Sequence, residues 1–305
     1  MAISRAQMMK ELLPGLNALF GLEYKKYENE HEAIYETESS DRSFEEEVKL
    51  SGFGAAPVKA EGAGISYDTA QEHFTARYNH ETIAMGFSIT EEAVEDNLYD
   101  SLSARYTKAL ARSMAHTKQV KAAFPLNNAF ATTNFSAGDS AALCASHTVV
   151  SGGTVSNVLS TAADLNETSL EQSVIDIAAF TDDRGLLIAA RPRKLICAPY
   201  NQFVATRVLE TELRPGTADN DINALRTNGV IPEGYSINHY ITTANKKEWF
   251  LITDVPNGMK MFQRTPLQTG MDGDFDTGNV RYKARERYSF GVSDFLGIFG
   301  SGELS

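Results

Sequence analysis

The sequence lacks most of the features that mark secreted, membrane-bound or disulfide-rich proteins. Only two cysteines occur in its 305 residues, Cys144 and Cys197, and they lie in different neighbourhoods. This excludes a disulfide framework and favours a reducing compartment. No apolar run reaches the ~18 residues that a membrane-spanning helix needs, and the first residues mix acidic and basic side chains, unlike a signal peptide. We therefore expect a cytoplasmic product.

Catalytic and metal-binding motifs are also scarce. The six histidines show no HExxH or comparable ligand spacing. Gly52 and Gly54 begin a glycine-rich segment, but the third glycine of a dinucleotide-binding fingerprint and the helix that should follow it are missing. Cys144 and His147 lie close together in a short polar loop, with no evident Asn or Asp to orient the imidazole. No catalytic residue, metal site or cofactor is therefore predicted.

The chain carries an excess of negative charge. It has 28 Lys and Arg residues against 40 Asp and Glu residues, which gives a formal net charge of −12. Such a surface repels a phosphate backbone on average, so a protein that reads nucleic-acid sequence is disfavoured. A surface that lies beside DNA without adhering to it would suit this charge. With 42% hydrophobic and 22% charged residues, the composition is that of a globular protein with a substantial core.

The first part of the chain predicts an arm followed by a strand. Residues 3–13 favour a short helix that ends at Pro14-Gly15, because proline and glycine both interrupt helices. Residues 16–35 predict an extended arm or a second short helix. Residues 44–51 alternate between an apolar side and a very acidic side, which is typical of a strand.

A long hairpin is predicted over residues 44–89. A loop rich in glycine and alanine, 51–66, separates the first strand from a second strand-like run at 73–89. The apolar positions of that run are even-numbered as far as Tyr78 and odd-numbered from Ile83 onwards. Because side chains alternate with period two, this change indicates a bulge or a strand that changes what it packs against.

The strongest helix signal spans about residues 90–124. Ser88-Ile-Thr-Glu91 matches a capping box, and Pro125 is expected to end the helix. At about 1.5 Å per residue such a helix would be roughly 50 Å long, well beyond an average globular helix. Its predicted inward face follows helical spacing and consists of Val94, Leu98, Leu102, Tyr106, Ala109, Leu110, Thr117, Val120 and Phe124.

Beyond this helix the sequence predicts loops, a compact lobe and a final strand. Residues 126–167 are rich in Ser, Ala, Asn and Gly, and are expected to be surface loops joining two lobes. Residues 165–260 predict an α/β or α+β lobe, and Val280–Val292 predicts a long strand. The elements predicted within the lobe are a helix opened by Thr168–Glu171 and ended at Gly185, strands at 193–199, 236–242 and 249–254, and a helix over NQFVATRVLETE.

The acidic segment at the start of residues 270–292 resembles a calcium loop only superficially. Asp272-Gly-Asp274-Phe-Asp276 has the spacing of the first EF-hand ligands. Thr277 stands where that loop needs glycine, and Lys283 stands where it needs a bidentate glutamate. An acidic turn before a strand is the better interpretation.

A row of cations follows on alternate positions of the predicted final strand. Its members are Arg281, Lys283, Arg285 and Arg287. Like charges at two-residue spacing repel each other, so solvent or an acidic partner must compensate them. The candidate partners, within the chain or from a neighbour, are Glu45, Glu46 and Glu47 of the early hairpin. The hypothesis is that the row docks against an acidic segment of an adjacent subunit, and a solvated strand face is the alternative.

The order of arm, hairpin, very long helix, compact lobe and returning strand resembles the HK97-like fold of tailed-bacteriophage major capsid proteins. Supporting segments are APVKAEGAGIS before the second hairpin strand, FSITEEAVEDN at the helix start and the terminal VRYKARERYSFGVSDFLGIFG. The segments LNALFGLEYKKYENEHEAIYETESSDRSFEEEVKLSGFGAAPVKAEG and TGMDGDFDTGNVRYKARERYSFG are similar to the major head subunit of Mu-like phages. The resemblance extends over nearly the whole chain.

This resemblance implies an α+β fold made of the named parts of that family. The implied parts are an N-terminal arm (1–35), an E-loop hairpin (36–89), a spine helix with the first part of the P-domain (90–164), an A-domain (165–260) and the return strands of the P-domain (261–305). The family is structural, so the resemblance implies no enzymatic activity and no cofactor.

The implied function is that of a capsid subunit. Such subunits self-assemble into the hexamers and pentamers of an icosahedral shell around packaged double-stranded DNA. The implied partners are further copies of the chain, a separate scaffolding protein, a portal, decoration proteins, and DNA on the inner face without sequence-specific binding. No long charged segment precedes the arm, so an attached scaffold domain is not expected. The implied location is the virion, with the host cytoplasm during assembly.

Two alternatives stay open on the sequence alone. A protein nanocompartment of the same fold would enclose enzymes instead of DNA, and the residues barely discriminate between the two. An enzyme with an unrecognised site in residues 165–260 would need a convergent set of acids, bases or ligands, and none emerges. A tail or decoration protein is disfavoured, because the long helix would then have no evident purpose.

Overall fold

The computed structural model describes residues 5–90, 92, 99–133, 135–213, 221–274 and 278–302. Its α+β architecture agrees with the predicted fold class. The helices are the N-terminal helix (Arg5–Tyr24), the long helix (Tyr99–Asn127), and shorter helices at Glu167–Ala178, Gln202–Glu210 and Ala224–Thr227. The strands are β1 (Glu36–Ser39), β2 (Phe44–Leu50), β3 (Glu72–Asn79), β4 (Glu81–Ile89), β5 (Ser146–Thr148), β6 (Thr154–Ser156), β7 (Pro192–Cys197), β8 (Tyr235–Ile237), β9 (Trp249–Thr253), β10 (Met259–Gly273), β11 (Val280–Val292) and β12 (Ile298–Ser301).

Two four-stranded sheets organise the described residues. The first, here the main sheet, has the order β1-β10-β11-β4, and the second has the order β12-β9-β7-β8. One face of the main sheet packs against the long helix and the N-terminal helix through Tyr282 and Ala284 of β11. The second sheet forms the centre of the predicted lobe, where Trp249 and Leu251 are fully buried.

The change of apolar phase predicted within residues 73–89 is confirmed, and its cause is a change of partner. β3 ends at Asn79 and pairs with β2, whereas β4 begins at Glu81 and pairs with β11. His80 lies between them and is buried. One continuous stretch of chain therefore serves two sheets, and the side that is buried reverses at the crossing point.

The hairpin proper is shorter than the predicted E-loop segment 36–89. Its two strands are β2 and β3, whereas β1 and β4, at the two ends of the predicted segment, belong to the main sheet. The boundaries at 36 and 89, like the other implied domain limits, stay a proposal. The hairpin's strands are nevertheless continuous with the main sheet on one side, because only His80 separates β3 from β4.

Two prolines that were expected to end helices lie inside them instead. Pro14 is within the N-terminal helix, and Pro125 is in the last turn of the long helix. A proline removes one backbone hydrogen bond and costs a helix roughly 3 kcal/mol. Burial of the following residues offsets this cost, since Phe20 packs against the long helix and Leu126 is fully buried.

The predicted inward face of the long helix was correct at Leu110 but wrong for most of its other described positions. Tyr106, Val120 and Phe124 are each close to half exposed, while the buried positions are mostly small. Small side chains let the helix lie close to the main sheet and the N-terminal helix. This close approach gives the dense packing of a protein interior. The buried face includes Leu110, Ala111, Met114, Ala115, Ala122 and Ala123. The predicted capping residue Glu91, together with Val94 and Leu98, lies outside the described residues.

Residues 126–167 are not the surface loops that their composition predicted. They contain the short hairpin β5–β6 and several fully buried side chains. The amide of Asn157 donates hydrogen bonds to the carbonyl oxygens of Leu143, Phe295 and Ile298 at 2.8–3.0 Å, and its side-chain oxygen accepts one from the Ala145 amide at 2.9 Å. The hydrogen bonds of buried Asn157 therefore hold this region together. A single polar residue has no periodic pattern, so the sequence did not predict this order.

Residues 165–260 contain both helices and strands, with element ends shifted from the predicted ones, and their sheet also includes β12 from outside this range. The first helix of this range ends at Ala178, and Gly185 belongs to the following turn with a positive φ of 82°. Asn166, rather than the predicted serine or threonine, caps that helix by accepting a hydrogen bond from the Ser169 amide. The strand predicted at 236–242 is the shorter β8, which pairs in parallel with β7.

A buried histidine joins the segment after the N-terminal helix to the long helix. The backbone amide of His31 donates to Gln119 Oε1 at 3.1 Å, which fixes the orientation of the Gln119 amide. Gln119 Nε2 therefore donates to His31 Nδ1 at 2.9 Å, so the imidazole is neutral. Burial, followed by the nearby Lys118 ammonium, lowers the pKa of His31 to about 4.

The free subunit is expected to lose stability on mild acidification because of His31. The unfolded chain binds a proton near pH 6.5, but the folded chain resists it until about pH 4. Stability is thus full above pH 6.5 and falls with pH, by about 2 kcal/mol between pH 7.5 and 5 from this one group. Urea unfolding midpoints across that pH range measure the loss. The pKa of His80 is lowered as well, so it contributes with the same sign.

The matched variant is His31→Asn, which keeps a polar side chain but takes up no proton in this range. It should unfold more easily at pH 7.5 and show a clearly flatter dependence on pH. An unchanged slope in this variant would show that His31 is not the group responsible.

Candidate subunit-contact surface

The predicted row of cations lies on the exposed face of the main sheet. Along β11 the side chains of Arg281, Lys283 and Arg285 are exposed, whereas Tyr282 and Ala284 are buried against the helices. Arg287 is partly buried at the end of the row. Since alternate residues of a strand are about 7 Å apart, the row extends roughly 20 Å along the sheet.

Small or uncharged residues flank most of the row on both neighbouring strands. Residues directly opposite each other in a sheet share a face, so these neighbours lie beside the cations. On β4 they are Ser88, Gly86, Ala84 and Thr82, and on β10 they are Asp272, Gly270, Gln268 and Thr265. The row therefore rises above its surroundings and is accessible to a partner from outside the chain.

The middle of the row is not neutralised within the described residues. Arg281 pairs with Asp274, and the Arg287 guanidinium donates to the carbonyl oxygen of Ser43 at 3.4 Å. Neither Lys283 nor Arg285 has a described carboxylate within 4.0 Å, and the Lys283 side chain lies over Gly270. Two cations per subunit thus remain available for an acidic partner.

The acidic turn before β11 is described only in part. The amide of Asp274 donates to the carbonyl oxygen of Asn279 at 2.8 Å, which brings the two ends of the turn together. Asp276 and Thr277 lie outside the described residues. The role of Asp274 that the structure shows is to pair with Arg281.

The predicted acidic partners lie on the hairpin and are not brought to the row. Glu45 accepts a hydrogen bond from Ser40 Oγ at 2.7 Å, and Glu47 bonds the Lys260 ammonium at 2.6 Å. Glu46 points outward and lies 3.6 Å from Arg77. Glu45 and Glu47, on the acidic side of β2, therefore face their own subunit, whereas Glu46 lies on the opposite, exposed side with Val48 and Leu50. That the three glutamates meet the row across a subunit boundary stays a proposal.

The other side of the hairpin exposes apolar residues, which the sequence analysis missed. Val48 and Leu50 of β2 are exposed, with Leu50 at 64%. Phe53, Val58 and Tyr67 in the loop beyond β2 are also exposed, and Val58 is fully exposed. The alternation of β2 already separated this apolar side from the acidic side. What the sequence did not indicate is which side faces solvent.

Further contacts tie the hairpin to the body of the subunit. The Lys49 ammonium bonds Asp294 Oδ1 at 2.8 Å and lies 4.1 Å above the centre of the Phe295 ring. In the loop beyond β2, Arg184 bonds Asp68 at 2.9 Å. Hydrogen bonds from the Gly54 and Thr69 amides, together with Arg184, lower the pKa of Asp68. These contacts hold the hairpin and the base of its loop against the subunit while the apolar side stays open.

His80 holds the junction between hairpin and main sheet. Its Nε2 lies 2.9 Å from Ser40 Oγ and its Nδ1 lies 3.0 Å from Ser289 Oγ. Because Ser40 gives its one hydroxyl proton to Glu45, Nε2 must donate to Ser40 and Nδ1 must accept from Ser289. Burial and the nearby Arg287 lower the pKa of His80, which keeps this neutral arrangement.

Neither the two cysteines nor His147, which lies beside Asp139, provides a nucleophile. Burial raises the pKa of the Cys144 thiol well above its ordinary value and that of Cys197 to about 12, and both thiols are free. His147 does have an orienting carboxylate, contrary to the sequence analysis, because Asp139 Oδ2 lies 2.6 Å from its Nδ1. The imidazole is nevertheless fully buried and stacks on Phe295. The pair formed by His147 and Asp139 is therefore part of the packed interior.

The described residues line several clefts. One of about 710 Å³ lies between the hairpin and the 182–190 loop, and its charged residues include the paired Lys49 and Asp294. No group of three or more potential metal ligands is found among the described residues. None of the described helices has the length and apolar character to cross a membrane.

One family model matches the chain, and solved structures share its fold. A model of the family described as phage capsid protein matches residues 74–300. The capsid of a native GTA particle is 16% identical and covers 92% of both chains with a TM-score of 0.56. The capsid of Myoviridae phage XM1 is 14% identical and covers 89% of both chains with a TM-score of 0.53.

An encapsulin shares the fold as well. The encapsulin from Synechococcus elongatus is 9% identical, with a TM-score of 0.51 over 88% of this chain and 84% of its own. No curated protein matches the chain. At these identities the structural matches establish the HK97-like fold, whereas the resemblance to Mu-like phages in particular is not confirmed by them.

Proposed function

The chain belongs to the phage capsid protein family, and from this we propose that it is the major head subunit of a tailed phage, assembling as hexamers and pentamers. The observation that carries the proposal is the family match over residues 74–300, with the same fold extending over nearly all of the chain. A capsid protein is a component of the virion and has a structural role. Assembly takes place in the host cytoplasm.

Adjacent subunits meet through the exposed cationic row and the open side of the hairpin. The uncompensated charges of Lys283 and Arg285 favour contact with an acidic segment, which includes Glu46 as the most exposed of the predicted partners. The exposed apolar side of the hairpin, including Leu50 and Val58, favours burial against a neighbour. In the resembling family, the E-loop lies over an adjacent subunit in this way.

Other partners follow from the family role and not from contacts within the chain. They are a separate scaffolding protein, a portal, decoration proteins and packaged double-stranded DNA. The net charge of −12 supports a wall along which DNA lies without adhering tightly. No sequence-specific contact with DNA is proposed.

A nanocompartment shell is the second candidate, and the likeness to an encapsulin favours it specifically. The two functions differ in what the particle encloses. Particles purified after expression in the phage's own infection cycle should contain nuclease-protected DNA of uniform length and no stoichiometric enzyme. A protein cargo at fixed stoichiometry, without protected DNA, would overturn the phage-head proposal in favour of the compartment.

A further inference from the structure

Strand β4 forms one edge of the main sheet and pairs on only one side. It runs for nine residues, Glu81–Ile89, and all nine pair with β11 without a register shift. No described backbone group hydrogen-bonds to its outer edge. Among the edge strands of the two four-stranded sheets in the described ranges it is the longest, since β1, β8 and β12 have three or four residues.

This edge lacks the features by which proteins usually protect exposed strands. Natural edge strands are short, bulged, or carry lysine or proline, because a long regular edge invites another strand to pair with it. The β4 sequence ETIAMGFSI contains neither lysine nor proline, and its pairing is unbulged. An edge of about 30 Å is thus left in a form that accepts a further strand.

The small side chains of β4 leave the neighbouring cations of β11 within reach of a strand added at the β4 edge. Ala84 is directly opposite Arg285, and Gly86 is directly opposite Lys283. A fifth strand would lie about 10 Å from β11, two strand spacings away. An arginine or lysine of β11 and a carboxylate of the added strand can meet across that distance, because only small side chains lie between them.

We propose that the β4 edge accepts an extended acidic segment from a second copy of this chain, which adds as a fifth strand with its carboxylates against Arg285 and Lys283. The proposal rests on the shell function, which supplies many copies at high local concentration. Charge complementarity selects the occupant, because the chain as a whole carries −12 while this face is cationic. Hydrogen bonding along the edge requires another peptide backbone, and a nucleic acid has none.

The test is Ala84→Glu, with Ala84→Gln as its matched control. Glutamate at this position lies opposite Arg285, so it neutralises the arginine within the subunit and repels an acidic partner. The free Ala84→Glu subunit should melt at the wild-type temperature or slightly above it. Its assembly, followed by light scattering against concentration, should need at least tenfold more protein. The glutamine variant, of the same size but uncharged, should assemble as wild type does.

Wild-type assembly by the Ala84→Glu protein would overturn the inference while leaving the shell function intact. Equal loss of assembly in both variants would also overturn it, because bulk and not charge would then be responsible. If Ala84→Glu does not fold, Thr82→Glu, two residues away on the same face of β4, with Thr82→Gln as control, likewise puts a carboxylate at the edge where the acidic strand would add. Failure of wild type to assemble with or without its genomic neighbours would instead contradict the proposed function.

The same proteins test whether the cationic row binds nucleic acid instead of a protein strand. Binding of a 30-base-pair duplex to the free wild-type subunit, measured over a salt series, should be weak and unaffected by Ala84→Glu. Strong salt-dependent binding that Ala84→Glu abolishes, with assembly unchanged, would assign the row to DNA and overturn the proposal.

Discussion

The double reversal Arg285→Glu and Arg287→Glu is expected to abolish shell assembly while the subunit stays folded. Arg285 is exposed and has no described ionic partner, and Arg287 donates only a long hydrogen bond to a backbone carbonyl. The folded monomer therefore depends little on the exposed Arg285 charge, and more on Arg287, which is partly buried beside His80. An acidic segment of the neighbour, by contrast, would meet two negative charges in place of two positive ones, at a cost of several kcal/mol per contact.

The measurement is electron microscopy and light scattering of the purified variant, with circular dichroism to establish its fold. The matched control is Arg105→Glu with Arg112→Glu, since both arginines lie on the exposed side of the long helix. Neither forms an ion pair with a residue that the structure describes. This control should assemble. If the row variant forms normal shells, the cationic row is a solvated face and the proposed contact is wrong.

Replacing Asn157 by aspartate should cost the subunit about 3–5 kcal/mol, more than replacement by alanine. Asn157 is 0% exposed, and its amide donates to three backbone carbonyls. Aspartate has the same shape but offers these carbonyls a negative charge without a proton. Alanine removes the same three hydrogen bonds without adding a buried charge, so the order of stability is wild type, alanine, aspartate.

Urea unfolding of the free subunit at pH 7.5 ranks the three proteins. Asn257→Asp is the control, because it makes the same chemical change in an exposed turn where asparagine has a positive φ of 60°. It should unfold within about 0.5 kcal/mol of wild type. Wild-type stability in both variants at position 157 would show that the three carbonyls do not depend on the asparagine amide, and equal losses in the two would show that the added charge costs nothing.

Strands with clear alternation were predictable from the sequence alone. The long strand Val280–Val292 is confirmed at both ends, and the exposure of its cationic side follows from period-two alternation. The change of phase near His80 also gave the correct result, because a reversal of the buried side has few physical causes. The α+β fold class came from the resemblance to tailed-phage capsid proteins, whereas the helices and strands within 165–260 were predicted from local patterns.

Features that depend on distant contacts were not predictable in this way. The long helix buries alanines and exposes Phe124. Which face is buried depends on how closely the neighbouring elements pack, and the sequence does not show this. The hairpin shows the same limit, since alternation separated two sides of β2 but did not reveal that Glu47 would turn inward to Lys260. Asn157 gave no signal either, since a buried amide that bonds backbone atoms has no periodic pattern.

The most direct test of the shell function is negative-stain electron microscopy, with light scattering, on the purified chain expressed alone and with its genomic neighbours. The account predicts closed icosahedral shells, or rings of five and six subunits, at the mass of many copies. A stable monomer under every condition, with or without the neighbouring gene products, would contradict it.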